Sequence, residues 1–232
     1  MKKLLVIPAR GGSKRIKKKN IKFFKGQPII SWAIKEALNS KAFDKVIVST
    51  DDQEIANIAF ASGAEIPFMR PKNIADDFAS TRDVIIHAIE WFKAQNVFYN
   101  NIFCLYPTTP FLKSSDILNA LKIFESLRKE SFVFAATSFS YPIQRALRVN
   151  EKGLTEMTNP QNFFKRSQDL EEFYHDAGQF YLASSETWLK KNNIFSDGKP
   201  YFIPRWKAID IDTAEDWEMA EIMYEITKNI SN

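Results

Sequence analysis

Leu4-Leu5-Val6-Ile7, close to the start of the chain, is followed directly by Pro8-Ala9-Arg10-Gly11-Gly12-Ser13-Lys14. A short and continuous apolar run of this kind is typical of a strand that is buried on both faces of a sheet. The loop after the strand extends from Pro8 to about Gln27 and is rich in basic residues. A buried strand that ends in a basic loop is therefore the first structural feature that the sequence predicts.

Strand-like and helical patterns then alternate along most of the chain. Strands are expected at Val46–Thr50, Ile102–Tyr106, Phe132–Thr137 and Gln179–Ala183. Helices are expected from Pro28 onward, over Asp52–Ala61 with a C-cap at Gly63, after the capping-box spacing Ser80–Asp83, over Ser115–Leu127 and over Thr213–Lys228. This alternation predicts an α/β fold with a Rossmann-like, doubly wound and mostly parallel sheet. Because ligands of such sheets bind at the carboxyl ends of the strands, the basic loop lies where a site is expected.

Residues 139–177 interrupt this alternation. Arg145–Val149 and Leu154–Met157 are separated by a turn-forming segment, which predicts a hairpin, and Asn159–Glu172 is polar and irregular. We therefore expect 1–232 to form a single domain with a small subdomain inserted at 139–177. The insert is too polar to pack alone, so we expect it to dock on a second subunit.

Composition and charge restrict the class of protein. The net charge of +4 suits an anionic substrate, but it is too small and too dispersed for a nucleic-acid-binding face. The sole cysteine, Cys104, lies in an apolar run and predicts a buried thiol in a reducing compartment. The apolar run Leu4–Ile7 is too short for a signal peptide or a membrane span. We expect a cytoplasmic protein that binds neither nucleic acid nor a membrane.

The basic loop is the first candidate for chemistry. Its glycines allow backbone N–H groups to turn toward an anion, and Arg10, Lys14 and Lys19 have the charge to neutralise a polyphosphate. The loop is neither a Walker A motif nor a G-x-G-x-x-G motif, because the later residues of both are missing. On the residues alone, phosphate binding and a solvated basic turn both remain open.

Asp210-Ile211-Asp212 is the second candidate. If the segment Ala208–Asp212 is extended, the two carboxylates share one face and are able to hold a hard divalent cation against a phosphate. Alternatively, Asp212 only neighbours a helix cap at Thr213 and Asp210 is solvated. The basic loop elsewhere in the chain favours the metal.

Other polar residues leave more than one interpretation open. His175 and Asp176 are adjacent, but neighbours on a strand face opposite ways and need not form an acid–base pair. Arg166 is able to reach an acidic substrate or to begin an exposed helix. His87 lies in a helical pattern and is interpreted as structural.

Taken together, the motifs resemble the CMP-sialic acid synthetase family. The resemblance rests on motifs that occur in the family's order over nearly the whole chain: Ile7–Lys14 with Lys19-Asn20, Ser49–Asp51, Arg70-Pro71, Ala79–Thr81, Pro107–Pro110 and Asp210–Thr213. It implies a sheet of the nucleotide-diphospho-sugar transferase type, CTP and Mg²⁺ as requirements of the reaction, and a homodimer. In that dimer the inserted segment reaches the active site of the partner subunit.

The resemblance also implies roles for individual residues. Arg10 and Lys19 are the expected catalytic residues, which contact the triphosphate together with Ser13. The expected cytidine pocket contains Asn20, Arg70, Ser80 and Thr81, and further substrate contacts are expected from Ala9, Gly12, Lys14 and Thr108. Asp210 and Asp212 match the carboxylates that bind the metal.

The sugar-binding half departs from the sialic acid pattern. Tyr106 stands where those enzymes usually have Gln, and the segment from His175 to Tyr181 differs from their usual sugar-binding sequence. These segments are similar instead to pseudaminic acid cytidylyltransferases, so the expected sugar contacts are Tyr106, Arg166, Gln168, His175 and Asp176. The predicted reaction transfers CMP from CTP to the C2 hydroxyl of pseudaminic acid. Sialic or legionaminic acid as acceptor, and a nucleotide-binding protein without transferase activity, are the alternatives.

Overall fold

The computed structural model describes residues 1–76, 78–127 and 130–230, and within them one sheet of six strands forms the centre of the molecule. The strands along the chain are β1 (Lys3–Pro8), β2 (Phe23–Phe24), β3 (Gln27–Pro28), β4 (Lys45–Ser49), β5 (Asn101–Leu105), β6 (Val133–Ser138), β7 (Leu147–Val149), β8 (Thr155–Met157), β9 (Tyr174–Ser184) and β10 (Lys199–Phe202). The helices are α1 (Ile29–Asn39), α2 (Gln53–Ala61), α3 (Thr81–Ala94), α4 (Ser114–Glu125), α5 (Ser185–Lys190) and α6 (Ala214–Ile230).

The central sheet has the strand order β10-β6-β9-β5-β1-β4. Its pairs are parallel except that β9 runs antiparallel to both β5 and β6. The predicted doubly wound, mostly parallel sheet is confirmed. The chain leaves β1 toward β4 on one side and later returns to β5 on the other, so the end of β1 is a topological switch point, where ligands of such sheets bind.

Two apolar layers cover the sheet, because alternate side chains of each strand point to opposite faces. Leu5 and Ile7 pack in a core with residues of α1, α2 and α4, whereas Leu4 and Val6 pack in a second core with residues of α3 and α5. A third, smaller core lies beneath α6 and includes Phe24 and Trp217. The continuous apolar run of β1 therefore reflects burial on both faces, as its sequence predicts.

Most predicted elements are present with their ends shifted by a few residues, but three features differ from the expectation. β9 begins at Tyr174, earlier than the predicted Gln179, and it enters the sheet in the antiparallel direction. The edge strand β10 has no counterpart among the predicted strands. Ala208–Asp212 joins no sheet; it follows a 3₁₀ turn at Arg205–Lys207 and leads into α6.

The inserted segment contains the predicted hairpin in a shorter form, as the antiparallel pair β7–β8. Two 3₁₀ turns, at Pro160–Asn162 and Ser167–Asp169, occupy the irregular part. Within the described part of the chain, no helix combines the length and the apolar character that a membrane span requires.

Candidate active site

A cavity of about 610 Å³ opens where β1 and β5 end. Its walls come from the loop after β1, the start of α3, the segment after β5 and the carboxylate segment before α6. It is lined by Pro8, Arg10, Ser13, Lys14, Arg15, Lys19, Asn20, Arg70, Ala79, Thr81, Val84, Tyr106, Pro107, Thr108, Asp210 and Asp212. The structure therefore brings together the basic loop and the paired aspartates, which are about two hundred residues apart in the sequence.

The basic loop is held in place by its own backbone and by two polar side chains. The Gly11 N–H donates to Asp51 Oδ1 at 3.0 Å, and a Cβ at Gly11 would lie 2.7 Å from Asp52 Oδ2, so only glycine fits there. The buried Asn20 donates from Nδ2 to the Arg10 carbonyl at 2.9 Å. These two hydrogen bonds constrain the backbone of the loop at Gly11 and Arg10.

The carboxylate segment is tied to this loop by ion pairs. Lys19 Nζ donates to Asp212 Oδ1 at 2.9 Å and to the Ile211 carbonyl at 2.8 Å. Arg15 Nη2 donates to the other Asp212 oxygen, Oδ2, at 2.6 Å. Asp212 is therefore bracketed by two cations that both line the cavity.

Asp210 lies beside this arrangement in a less favourable environment for a charge. Burial is the main reason that its pKa is raised, and the like charge of Asp212 adds to the effect. A divalent cation between the two carboxylates would relieve that repulsion. Mg²⁺ is usually held by one or two carboxylates together with substrate phosphates, so this donor set fits the ion. Among the described residues, no group of three or more His, Cys, Asp or Glu is placed to hold a metal.

Arg70 forms a buried cationic wall of the cavity. Its Nε donates to Ser49 Oγ at 3.1 Å, and its Nη2 donates to the Ser49 carbonyl. Burial lowers the pKa of Arg70 to about 10, partly opposed by the nearby charge of Asp51. The guanidinium consequently remains charged at neutral pH and is fixed in orientation by Ser49.

Ser80 and Thr81 have different positions although both belong to the predicted cytidine pocket. Ser80 is the N-cap of α3 and forms a reciprocal capping box with Asp83, and it is not among the cavity-lining residues. Thr81 lines the cavity, and its Oγ1 lies 2.6 Å from the hydroxyl of Tyr106. Of the two, the geometry therefore brings Thr81 to the cavity.

Tyr106 stands at the end of β5 as a largely buried aromatic wall. Burial raises its pKa to about 12, while hydrogen bonds with Thr81 and Tyr181 act in the opposite direction. Its ring meets that of Tyr181 edge to face, with centroids 5.7 Å apart. The phenol is therefore neutral near pH 7 and is held on two sides.

The remaining predicted substrate contacts lie elsewhere in the single chain. Arg166 pairs with Asp169 through hydrogen bonds of 2.7 and 3.1 Å, and Gln168 shares that exposed turn. His175 packs against Phe139 in a separate groove of the insert. Ala9 is fully buried and Gly12 lies in the loop, and neither lines the cavity. The substrate contacts expected of these residues remain predictions.

The sequence analysis assigned no individual role in the site to Arg15, Asp51 or Tyr181. Arg15 pairs with Asp212, Asp51 accepts the Gly11 N–H, and Tyr181 contacts Tyr106. Arg15 lies within the basic loop, so its charge was a usable signal. The contacts of Asp51 and Tyr181 depend on the pairing of neighbouring strands, which no local pattern reports.

A switch-point cavity that combines cations for a polyphosphate with two carboxylates is typical of nucleotidyltransferases. The chain belongs to the cytidylyltransferase family, whose family model matches residues 4–229. It is 46% identical over 227 residues, 97% of each chain, to a pseudaminic acid cytidylyltransferase of Campylobacter jejuni. It is 30% identical over 236 residues, 98% of each chain, to a CMP-N,N'-diacetyllegionaminic acid synthase of Legionella pneumophila.

Solved structures agree on the fold. A CMP:2-keto-3-deoxy-manno-octonic acid synthetase complexed with CTP superposes with a TM-score of 0.70 at 16% identity, over 98% of this chain and 100% of that one. A 4-diphosphocytidyl-2C-methyl-D-erythritol synthase from Anaerococcus prevotii superposes with a TM-score of 0.63 at 14% identity, over 97% and 98% of the two chains. Both solved structures therefore share the fold of this chain.

Proposed function

We propose that this cytidylyltransferase transfers CMP from CTP to the C2 hydroxyl of pseudaminic acid and releases pyrophosphate. The main support is the 46% identity, over 97% of both chains, with the pseudaminic acid cytidylyltransferase of Campylobacter jejuni. Identity falls to 30% with the legionaminic acid synthase and with an N-acylneuraminate cytidylyltransferase of Escherichia coli. Tyr106, which stands where sialic acid enzymes usually have Gln, supports the same assignment.

The basic loop provides the triphosphate end of the proposed mechanism. Arg10, Lys14 and Lys19 face one cavity with Ser13, and they neutralise the phosphates as negative charge develops on the leaving pyrophosphate. Arg70 and Thr81 also line the cavity, and they are proposed to orient the nucleoside. Transfer of a nucleotidyl group requires little covalent chemistry from the protein, so alignment and charge neutralisation supply most of the rate enhancement.

Mg²⁺ is proposed as the metal, with Asp210 and Asp212 as its protein ligands. When bound, the ion would supply Lewis-acid stabilisation of the phosphate oxygens. The protein's own contribution is to hold Asp212 in place through Lys19 and Arg15. When CTP binds, its phosphates would compete with Asp212 for these two cations.

The acceptor sugar is proposed to bind between Tyr106 and the inserted segment of a second subunit. Arg166 carries the planar fork that matches a sugar carboxylate, yet in the single chain it lies outside the cavity and pairs with Asp169. A homodimer would bring Arg166, Gln168 and His175 of one subunit to the cavity of the other. We propose a cytoplasmic enzyme, since its single cysteine is buried and reduced.

A pyrophosphate-release panel tests the function. The purified protein is incubated with Mg²⁺ and CTP alone, and then with CTP and pseudaminic, legionaminic, N-acetylneuraminic or 2-keto-3-deoxy-octonic acid. A site shaped for one acyl-sugar rejects a close analogue by roughly a hundredfold in kcat/KM. We therefore expect pseudaminic acid to exceed the others by at least about that factor. Equal rates, or a preference for another acid, would contradict the substrate; no release with any acid would contradict the transfer itself.

The nucleotide arm uses the same assay. UTP, GTP and ATP replace CTP at equal concentration, with pseudaminic acid held saturating. We expect CTP to support release at least about a hundredfold faster than the other nucleotides, because a buried polar pocket left unpaired by the wrong base costs several kcal/mol. Comparable rates with UTP would place the base outside the pocket formed by Arg70 and Thr81.

A further inference from the structure

A series of side-chain contacts connects the cavity with Asp176. Thr81 Oγ1, on the cavity wall, lies 2.6 Å from the Tyr106 hydroxyl. The ring of Tyr106 meets that of Tyr181 edge to face, with centroids 5.7 Å apart, and the Tyr181 hydroxyl donates to Asp176 Oδ2. Asp176 itself is not among the residues that line the cavity.

An irregularity in β9 places Asp176 at the end of this series. Between the pairs Phe134–Tyr181 and Ala136–Asp176 the register with β6 shifts, so β9 contains extra residues at this point. Gly178, inside the shifted segment, has a φ of +60°, which favours glycine. Its N–H donates to Asp176 Oδ1 at 3.0 Å. One carboxylate oxygen therefore holds the bulge and the other holds Tyr181.

The two tyrosines of this series are neutral. Burial is the main cause that raises the pKa of Tyr181 and of Tyr106, so both phenols keep their protons at neutral pH. The Tyr181 hydroxyl donates its hydrogen to the Asp176 carboxylate, which accepts it. This bond fixes one end of Tyr181, whose ring packs edge to face against that of Tyr106. Asp176 thus orients a phenol that contacts the cavity wall.

We propose that Asp176 is a positioning residue that acts through Tyr181 on Tyr106, so that these three side chains form a relay. It keeps the Tyr106 ring in place as the wall of the cavity beside Thr81, and it does not touch the substrate. This inference refines the expectation that Asp176 binds the sugar directly. It rests on the proposed cytidylyl transfer for its kinetic test, but not for its spectroscopic one.

The kinetic test is a double-mutant cycle of Tyr181→Phe and Asp176→Asn. Tyr181→Phe removes the relay hydroxyl but keeps the ring and the Gly178 hydrogen bond to Asp176. We expect it to lower kcat/KM for the sugar acid about tenfold, the effect of one hydrogen bond to a charged partner, while KM for CTP changes by less than about twofold. Because Asp176 acts through Tyr181, adding Asp176→Asn to Tyr181→Phe should cost less than about twofold more.

Tyr201→Phe is the matched control. The Tyr201 hydroxyl also bonds an aspartate, Asp116 Oδ1 at 2.9 Å, but it lies outside the cavity. Its removal should change kcat/KM by less than about twofold, since it deletes the same kind of bond without touching the relay. A tenfold loss in Tyr201→Phe would mean that any such deletion disturbs the enzyme, and it would overturn the relay interpretation.

The spectroscopic test needs no substrate. Tyrosine labelled with ¹³C at Cζ is followed by NMR, and the Tyr106 resonance is assigned by its loss in Tyr106→Phe. We expect this resonance to shift in Tyr181→Phe and in Asp176→Asn, but not in Tyr201→Phe. If Asp176→Asn does not fold, the shift of the Tyr106 resonance in Tyr181→Phe is sufficient to test the proposal.

Two further results would overturn the proposal. One is an unchanged Tyr106 resonance in Tyr181→Phe. The other is a loss on Asp176→Asn that is as large in the Tyr181→Phe background as in the wild type, which would mean that Asp176 contacts the sugar itself. A wild-type protein without transferase activity would refute the proposed function, while the resonance shifts would still test the relay.

Discussion

Asp212 shows how one residue takes part in two arrangements. In the described structure its carboxylate accepts hydrogen bonds from Arg15 and Lys19, and it lines the cavity beside Asp210. The same carboxylate is proposed to bind Mg²⁺ once CTP occupies the loop. The ion pairs hold the aspartate in position before the ion binds, and the phosphates then compete for the two cations. A substitution that removes the charge of Asp212 but keeps its size tests whether the proposed Mg²⁺ ligand is needed for turnover.

We expect Asp212→Asn to lower Mg²⁺-dependent turnover by several orders of magnitude without unfolding the protein. Loss of a metal carboxylate removes several kcal/mol of charge stabilisation in the transition state, whereas the backbone N–H of residue 212 still donates to Asp216. Turnover is measured by pyrophosphate release across a Mg²⁺ titration, with circular dichroism to confirm folding. Glu54→Gln is the control, because Glu54 forms an exposed ion pair with Lys18 of the same loop. Near-wild-type turnover in Asp212→Asn would refute the metal assignment.

Lys19 and Lys17 provide a second comparison within the loop. Lys19 is partly buried, bonds Asp212 and lines the cavity, whereas Lys17 is exposed and does not line it. Lys19→Ala should lower kcat/KM for CTP at least about tenfold, as expected for one charge-assisted hydrogen bond, and Arg10→Ala should do the same. Lys17→Ala should leave kcat/KM within about twofold. Equal effects of the Lys19 and Lys17 substitutions would indicate a general electrostatic attraction instead of a specific phosphate contact.

At the level of elements, two adjacent residues at the start of α3 have different roles, one in helix stability and the other in the cavity. Ser80 caps the helix, accepting a hydrogen bond from the Asp83 N–H at 3.2 Å, and Asp83 Oδ2 accepts from the Ser80 N–H at 3.0 Å. Thr81, the next residue, turns its hydroxyl to Tyr106 and the cavity. Capping residues are recognisable from sequence because their partners lie within one turn. The contacts that a neighbouring residue such as Thr81 makes with other parts of the fold are not recognisable from sequence.

Ser80→Ala should lower the free energy of unfolding by about 0.5–2 kcal/mol, the usual effect of losing an N-cap, with kcat/KM nearly unchanged. Thr81→Val should lower kcat/KM and leave the free energy of unfolding nearly unchanged, since it removes a cavity hydroxyl without disturbing the cap. Urea denaturation and steady-state kinetics of both variants measure the two effects. A large kinetic defect in Ser80→Ala would place its hydroxyl in the nucleoside pocket after all.

The capping box also has a defined pH dependence. Hydrogen bonds from Ser80 hold the pKa of Asp83 below its ordinary value. A carboxyl group whose folded-state pKa is lowered contributes stability above its unfolded pKa and loses it as the pH falls through the folded value. The difference in unfolding free energy between wild type and Ser80→Ala should therefore shrink in acid. A difference that stays constant down to the pH at which Asp83 is protonated would contradict the ionised capping box.

At the scale of the whole molecule, the insert exposes a large amount of apolar surface. Tyr141 is 84% exposed, Phe164 is 92% exposed, and Leu147, Val149 and Leu154 of the hairpin are each more than 60% exposed. Exposed apolar surface concentrated in one segment is typical of an interaction site. This observation supports the proposed homodimer. In that dimer the second subunit would cover the apolar surface of the insert, and the insert would reach the cavity of that subunit.

We expect light scattering to give about twice the chain mass of 26.8 kDa over a dilution series. Phe164→Asp should weaken the dimer, because it places a charge in the apolar interface, whereas Phe60→Asp, on the exposed face of α2, should not. The Phe164→Asp monomer should still bind CTP but lose sugar transfer. A fully active wild-type monomer would refute the dimer and leave the insert as a local lid.

The features that could be read from the sequence are those whose interactions are local. The apolar run of β1, the capping box at Ser80, the hairpin of the insert and the left-handed backbone at Gly63, with a φ of +98°, depend on residues only a few positions apart. Alternating strands and helices also imply a parallel sheet, because parallel strands need long crossover connections. The cations and carboxylates of the site were recognisable by type and order.

Tertiary structure alone decided how those groups meet. The Arg15–Asp212 pair joins residues 197 positions apart, and the antiparallel entry of β9 brings Asp176 and Tyr181 to Tyr106. Such contacts depend on strand order and on a shift of register, which follow from packing of the whole chain and leave no periodic signal in it. For this protein, the sequence by itself determined the class of chemistry and the elements that carry it. The fold determined which side chains face the ligand and which act behind them, because those contacts exist only when distant segments pack together.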